Sequence, residues 1–315
     1  MKTICRGVIV VLLGLVASSA RSDDGVVLKY KMAKGDKLIF RAKSDMKQNQ
    51  TILGMQHENE MQSETIQSFT VEGIDDKGNY LISIKGERIK AKAKFAQLGE
   101  FSFDSQSSER DKSSTLGASL TPLFERLSGS TYQAVVTPDG EVIEVKGYAD
   151  LIRDLVEGNP LTAQFSGGGT DDAAKDNLRG VFPKLPKSAA KVGDTWEASH
   201  QVAMGKVGVT NGKSVFRYVG PDKVADKTTA KLDVTDEAAF TLDIDMDGVK
   251  VTGTLNTTNA NGTIQFNPEA GRVQSSQSTV TISGMLNVNA NGMDIPVQSE
   301  HTVSNSLEYL EKIPN

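Results

Sequence analysis

The stretch whose residue types and spacing come nearest to a chemical site is Asp243-Ile-Asp-Met-Asp-Gly248. It matches the first half of a calcium loop, D-x-D-x-D-G, in which alternate carboxylates converge on one cation. Asp243, Asp245 and Asp247 are therefore the candidate metal ligands. The last position of such a loop should be a bidentate glutamate, and here it is Thr254. Phe240, Leu242, Ile244 and Met246 also alternate with Thr241, Asp243, Asp245 and Asp247. That alternation describes a strand running into an Asp-Gly hairpin turn, with its carboxylates on the wet face. The expectation is a solvated strand and no bound metal.

Other chemistry is thin. Ser166-Gly-Gly-Gly-Thr170 precedes a helix, where glycine-rich backbone can cradle phosphate, but it lacks the lysine and the leading strand of a phosphate loop. It reads as a surface loop. His57, His200 and His301 are scattered, with no pair at ligand spacing, and no Gly-x-Ser-x-Gly elbow is present to hold a nucleophile. The single cysteine, Cys5, precedes an apolar run at the N-terminus. No catalytic residue and no cofactor site is expected, and the chain reads as a non-enzyme.

Few helices can position anything. The clearest is Gly147–Gly158, GYADLIRDLVEG, whose Tyr148, Leu151, Ile152, Leu155 and Val156 fall on one helical face. Asp150, Arg153, Asp154 and Glu157 take the other side, Gly158 can end the helix and Pro160 cannot continue it. Leu120–Gly129 reads as a shorter helix with Thr121 as N-cap and Pro122 as the first helical residue. Thr170–Gly180 reads as another, its acidic start suited to the positive end of the helix dipole.

Nearly everything else reads as strand. Ser68–Glu72 and Tyr80–Ile84 flank the turn cluster Asp75–Asn79, a hairpin by its turn chemistry. Phe95, Phe101 and Phe103 suggest a further pair around Gly99. Tyr132–Thr137 and Val142–Val145 flank Pro138-Asp-Gly140. Polar residues from Ser44 to Ser63 blur the alternation there. From Thr229 to Tyr309 strands follow one another, with turns at Asp247-Gly248, Asn259–Gly262, Pro268–Gly271 and Asn291-Gly292. The opening Lys34-Gly-Asp-Lys-Leu38 is echoed by Lys191-Val-Gly-Asp-Thr-Trp196, and Phe69–Asp75 by Phe216–Asp222. These echoes suggest two related β units flanking the helices, or two hairpins that merely share turn signals. Trp196 reads as a core anchor where the helices meet the second unit.

The N-terminus carries Lys2 and Arg6, the apolar run Val8–Ala17 and small residues Ser18-Ser-Ala20, the anatomy of a secretory signal peptide. Cleavage after Ala20 or Ser22 suits it, and the apolar run falls short of the about 20 residues that span a bilayer. The mature chain then has no cysteine, which excludes disulfides and thiolate chemistry and points to a bacterial source. With no cysteine after the apolar run, the expected product is an exported protein of the periplasm or cell exterior without a lipid anchor or a transmembrane segment. The chain carries 35 Lys and Arg against 40 Asp and Glu, a net charge of −5. Losing Lys2 and Arg6 makes it more acidic, which disfavours nucleic acid and anionic lipid as partners.

The expected organisation is a signal peptide over 1–22, a first β unit over 23–118, a helical interlude with one hairpin over 119–190, and a second β unit over 191–315. The fold class is mainly β, with long antiparallel strands in one curved sheet or half-barrel, or in two related units, covered by about three short helices. The Gly-Asp-Thr-Trp196 that follows Phe182-Pro-Lys-Leu-Pro186, the Pro138-Asp-Gly-Glu-Val142 hairpin and the repeated Lys-Gly-Asp opening resemble an uncharacterised bacterial family. Its members are exported or lipid-anchored β-rich proteins known as a domain of unknown function, and the resemblance implies no activity. Long strands wrapped over a few helices are also similar, at the level of fold, to carriers that shuttle lipoproteins through the periplasm. Three functional classes follow. The first is a binding protein holding an apolar or lipid-like ligand between sheet and the Tyr148–Val156 helix face. The second is an envelope component that pairs with a protein through strand edges. The third is an enzyme whose site carries no recognisable motif.

Overall fold

The computed structural model describes residues 25–156, 162, 169–203, 208–246, 249–290 and 292–314. Residues 1–22, Gly158, Asp247-Gly248, Asn291 and Gly167-Gly168 of the Ser166–Thr170 loop lie outside the described residues, as does the side chain of Val156. In chain order the strands are β1 (Lys37–Ile52), β2 (Met55–Ile74), β3 (Tyr80–Phe95), β4 (Gly99–Asp104), β5 (Thr131–Val136), β6 (Val142–Lys146), β7 (Thr195–Ala203), β8 (Gly208–Val224), β9 (Lys227–Met246), β10 (Val249–Asn267), β11 (Arg272–Ala290) and β12 (Met293–Leu310). The helices are α1 (Thr115–Leu127), between β4 and β5, and α2 (Tyr148–Val156) and α3 (Asp171–Leu178), between β6 and β7.

All 12 strands are antiparallel members of one curved, unclosed sheet in the order β6-β5-β3-β2-β1-β12-β11-β10-β9-β8-β7, with β4 laid on the far part of β3. Of the two architectures open to the sequence, one sheet is the one formed. The join is β1 against β12, in register from Ile39↔Leu310 to Ile52↔Val297.

Alternation along the strands gives the sheet a wet outer face and an inner face that carries the core. Phe40 and Leu38 of β1, Phe69 and Val71 of β2, Ile82 and Ile84 of β3, Phe216 of β8, Leu232 of β9, Phe266 of β10 and Leu307 of β12 all join one buried cluster. Val142 and Val145 of β6, at one end of the sheet, join it too, as does Trp196 of β7 at the other end. A sheet can bring its first and last strands to one core only by curling. Helix α3 packs against both β6 and β7 and so spans the gap between the free edges.

The core at this end, the base, is plugged by two chain segments that are neither helix nor strand. Tyr30 donates its backbone N–H to Pro138 O at 3.0 Å, beside the β5–β6 turn, and Lys31 N reaches Gly271 O at 3.1 Å, beside the β10–β11 turn. Phe182, 1 % exposed, packs edge-on against Tyr30 and Phe69 with ring centroids 5.5 and 5.7 Å away, and Tyr30 packs edge-on against Phe266 at 5.5 Å. The Tyr30 hydroxyl donates to Pro183 O at 3.2 Å and accordingly is not left unpaired in the apolar base. Gly140, at φ +86°, leaves room for this contact, since a Cβ there would sit 2.4 Å from Pro183 O.

The elements form largely for the reasons their sequences give. Helix α3 starts at the N-cap Thr170, whose Oγ1 accepts from Ala173 N at 3.1 Å. Helix α2 starts at Tyr148. Helix α1 is a correction. It starts at Thr115 with Ser114 as the cap, Oγ accepting from Gly117 N at 2.9 Å, so Pro122 lies inside it and Thr121 caps nothing. The Thr121 hydroxyl instead donates to Asp111 O at 2.5 Å. The stretch from Ser44 to Ser63 is also more regular than its sequence suggests. It forms β1 and β2 joined by Leu53-Gly54 at φ +51° and +82°, a tight two-residue turn.

The echoed Lys-Gly-Asp segments make the same four hydrogen bonds. In the first, Gly35 N donates to Val71 O at 2.8 Å, Val71 N to Asp36 O at 2.9 Å, Asp36 N to Ala33 O at 3.0 Å and Ala33 N to Asp36 Oδ2 at 2.7 Å. In the second, Gly193 N donates to Tyr218 O at 2.8 Å, Tyr218 N to Asp194 O at 3.0 Å, Asp194 N to Lys191 O at 2.9 Å and Lys191 N to Asp194 Oδ2 at 2.8 Å. Each aspartate closes its turn and aims the chain into the strand that follows.

Phe182→Ala should cost about 3–5 kcal/mol of unfolding free energy, because it empties the centre of the plug. Asp36→Ala and Asp194→Ala should each cost about 1 kcal/mol and add in the double variant, as losses of equivalent and well-separated turns. Chemical denaturation of the three single variants and the double variant checks both statements.

Candidate functional site

The helix face expected to meet a ligand is used by the core. Tyr148 is 8 % and Ile152 0 % exposed; both belong to the base cluster, and Leu151 packs against it. Tyr148 lies edge-on to Tyr132 of β5 at 5.4 Å, and burial pushes its phenol up to about 12. Leu155 is half-buried. The ligand space expected between sheet and helix is occupied there by protein side chains.

The same inner face continues past the helices. Helices α1, α2 and α3 pack on β4, β5, β6 and β7, whereas β9 to β12 and β1 run on toward the opposite rim. There the inner positions are again apolar. Across the strands Leu255 stands opposite Phe240, Val251 opposite Ile244 and Val288, Val288 opposite Ile295, and Val297 opposite Leu286 and Ile52. Leu255, Leu286 and Val297 are 3 %, 7 % and 3 % exposed, while Phe240, Leu242, Val251, Ile282, Val288 and Ile295 are only partly buried around them.

Two glycines explain how leucines are buried on a sheet face that these helices do not reach. Gly253 of β10 stands opposite Leu286 of β11, and Leu255 of β10 opposite Gly284 of β11. A Cβ on Gly253 would lie 2.9 Å from Leu286 Cδ2, and one on Gly284 would lie 3.2 Å from Leu255 Cδ2. Each leucine therefore lies down in the space its partner glycine leaves, and the sheet can bend inward over the pair. The result is an apolar trough with a floor of lying leucines and walls of partly exposed Phe, Val and Ile.

A row of polar side chains bounds the trough on the side of the base. Ala96 N donates to Asn59 Oδ1 at 3.1 Å, which leaves Asn59 Nδ2 to donate to Gln48 Oε1 at 2.8 Å. Gln48 Nε2 must then donate to His301 Nε2, 3.1 Å away, so the imidazole is neutral and carries its proton on Nδ1. Ser299 Oγ, 0 % exposed as a residue, shares the same ring nitrogen at 2.9 Å. Burial holds His301 below the ordinary histidine value of 6.5. Charging it would also place an N–H against the Gln48 amide donor.

His200 belongs elsewhere, on the inner face of β7 beneath α3. Burial lowers its pKa first, the Asp176 carboxylate 3.7 Å away opposes that shift, Arg179 adds to it and Asp236 opposes it again. Its ring lies over Gly212, where a Cβ would come within 2.2 Å of it. His57 is on β2. Asp243 and Asp245 stand on the outer face of β9, where Asp243 pairs with Lys250 at 3.6 Å and its side chain is 70 % exposed. Among the described residues no group of His, Cys, Asp or Glu is gathered closely enough to hold a metal ion. A polar groove of about 800 Å³ crosses the outer face, lined by Thr235, Asn261, Gln277, Thr279 and Ser304 and by the ion pair Arg217–Asp233 at 2.7 Å. Within it the Thr279 and Ser304 hydroxyls bond each other at 3.1 Å.

The trough was half visible in the sequence. The alternation from Phe240 to Ile244 marks its β9 wall, but the opposed glycine–leucine pairs exist only once β10 and β11 are in register.

The model of a family of unknown function, DUF6263, matches residues 77–273, more than half of the chain and the whole span from the β2–β3 turn to the start of β11. The chain belongs to this family. Comparison with curated proteins gives no match. Among solved structures the chain is similar to lipovitellin, whose structure concerns lipid–protein interactions, at 10 % identity and a TM-score of 0.43, over 90 % of this chain and 26 % of that one. The chain thus spans about a quarter of lipovitellin. An outer membrane channel from Pseudomonas putida F1 matches at 7 % identity and a TM-score of 0.24, over 89 % of this chain and 97 % of the other. DynF of the dynemicin biosynthesis pathway of Micromonospora chersina matches at 9 % identity and 0.21, over 90 % and 85 %. At these scores the likenesses carry no argument about this family member. None of its described helices is long and apolar enough to cross a membrane.

The two lowered histidines set the sign of one pH effect. Their folded values lie below 6.5, so as pH falls from about 6.5 the unfolded chain takes up protons that the folded chain refuses, and stability falls. The lowered carboxylates, such as Asp104 and Asp139, lose their contribution only as pH falls through their own folded values, below the ordinary 3.8. The denaturation midpoint should therefore drop between pH 7 and pH 5, and His301→Gln should flatten part of that drop.

Proposed function

We propose that the protein is an exported, non-catalytic binder of an apolar, lipid-like ligand, held on the inner face of β9–β12 and β1. The observation that carries this reading is the trough itself, apolar on both walls and reaching beyond the strands on which the three helices pack. Monomeric folds seldom leave a contiguous apolar surface in water without a use for it. The leucines lying over Gly253 and Gly284 give a smooth floor, and the partly exposed Phe240, Ile282 and Ile295 offer contact area to an acyl or isoprenoid chain. The polar row ending at Ser299 and His301 would meet the ligand's single polar group, in the manner of pockets that are mostly apolar with a few placed hydrogen-bonding groups. Export rests on the N-terminal signal pattern, and the bacterial envelope or its exterior is the compartment it implies.

Protein purified without detergent should release a stoichiometric apolar compound when denatured and analysed by mass spectrometry. Phe240→Ser combined with Ile282→Ser should weaken binding of a fluorescent fatty acid about tenfold, since two apolar walls are lost. A clean spectrum together with unchanged dye binding in the double variant would overturn the reading.

A further inference from the structure

Three hairpins end side by side at the rim opposite the plug. They join β1 to β2, β11 to β12, and β9 to β10, and these pairs are neighbours along the sheet. Each hairpin puts a described apolar side chain into water at or beside its turn. Leu53 and Met55 are 71 % and 60 % exposed at the first, Met293 is 64 % exposed at the second and Val249 is 40 % exposed at the third.

Leu53 is the most telling of them. The two turn residues Leu53-Gly54 have positive φ, a geometry that favours glycine, asparagine or aspartate in a two-residue hairpin. A leucine there meets a backbone penalty and an exposure penalty at once, and neither is offset within the fold. Met55 beside it and Met293 on the next hairpin repeat the exposure with flexible side chains that adapt to an irregular apolar surface.

We infer that this rim is a membrane-docking surface, which sets Leu53, Met55, Met293 and Val249 into the interface of a bilayer with a zwitterionic or neutral surface. Charge selects the kind of bilayer. Behind the tips Lys47 pairs with Glu60 at 3.2 Å and Lys250 with Asp243 at 3.6 Å, so the lysines nearest the turns of these three hairpins are neutralised. Asp245, Asp294 and Glu58 add negative charge without matching lysines in those pairs. An acidic rim gains nothing from anionic lipid, whose attraction works on clustered Lys and Arg. Apolar tips backed by a neutral-to-acidic collar instead suit shallow insertion to the headgroup–acyl boundary, about 5–10 Å deep for interfacial elements.

The rim is also continuous with the trough. Ile52 adjoins Leu53, Ile295 follows Met293 on the same face of β12, and Val251 follows Val249 on the same face of β10. A ligand leaving the bilayer between the tips would meet apolar side chains all the way in. The docking surface nevertheless stands on its own residues and would hold for an empty trough.

The test uses the full chain with one added tryptophan at a time, Leu53→Trp or Met293→Trp, with Thr279→Trp on the outer face as the reference and the unmodified chain, carrying only Trp196, as the blank. On addition of phosphatidylcholine vesicles containing brominated acyl chains, the two tip tryptophans should shift to the blue and be quenched, and Thr279→Trp should not. Leu53→Asp combined with Met293→Asp, at unchanged thermal midpoint, should lower the vesicle-bound fraction about tenfold, as two apolar anchors are replaced by charges, and added salt should not release the unmodified chain. Tip tryptophans that remain in water overturn the inference, and so does quenching that requires anionic lipid. Association between copies in the absence of vesicles, abolished by the aspartate variant and not accompanied by quenching, overturns it in favour of a self-contact. Because the readout is local to the tips, membrane attachment through residues 1–24 cannot imitate it, and the ligand content of the trough does not enter it.

Discussion

The packing of Phe182 and Tyr30 into the base is the contact on which the rest of the structure depends. A sheet of this length has two free edges, β6 and β7, and strand pairing does not join them. What holds them to one core is apolar burial, with Phe182 and Tyr30 meeting the inner faces of β2 and β10 at once. The backbone bonds from Tyr30 and Lys31 tie the plug to two turns on opposite sides of the sheet. Each aromatic contact contributes about 0.5–1.5 kcal/mol beyond its buried area, but the larger effect is topological. Non-directional burial gathers elements that no hydrogen-bond ladder joins.

The two ends of the sheet solve the same burial problem in different ways. At the base, the helices and the plug fill the concavity with side chains from outside the sheet. Toward the rim, the sheet covers itself, by laying Leu255 and Leu286 over opposed glycines. The first solution fills the concavity with protein, which is why Tyr148, Leu151 and Ile152 of the helix face belong to the core. The second leaves apolar walls partly in water. The polar row from Asn59 to Ser299 marks the boundary, with its donors and acceptors satisfied in sequence along the row.

Much of the fold was legible in the sequence wherever a local rule operates. Thr170 before an acidic first turn, the apolar face beginning at Tyr148, and the Asp75–Asn79 turn cluster all act through contacts a few residues away. The Lys-Gly-Asp echo was legible for the same reason, since Asp36 and Asp194 each bond a backbone N–H close by in sequence. Helix α1 was misplaced because Pro122 is a strong start signal, while Ser114 acts through a single cap bond to Gly117. Between Ser44 and Ser63 the inner face mixes Ser, Met and Gln, so alternation is weak, and the ladders from β12 and β2 impose the strand from either side. The candidate site was the least legible part. A trough made by opposed glycines and leucines depends on register between strands, and a single sequence does not display register.

The pairing of β1 with β12 sets an order on folding. These two strands lie at opposite ends of the chain, yet they are neighbours in the middle of the sheet. Until the last strand is available, β1 has β2 on one side and a bare edge on the other, and the two halves of the sheet have no ladder between them. Such a contact closes a loop of nearly the full chain length, and its entropic cost falls due before its hydrogen bonds form. A chain emerging from a ribosome N-terminus first must therefore wait with an open edge, and its surroundings must keep that edge from other strands until β12 arrives.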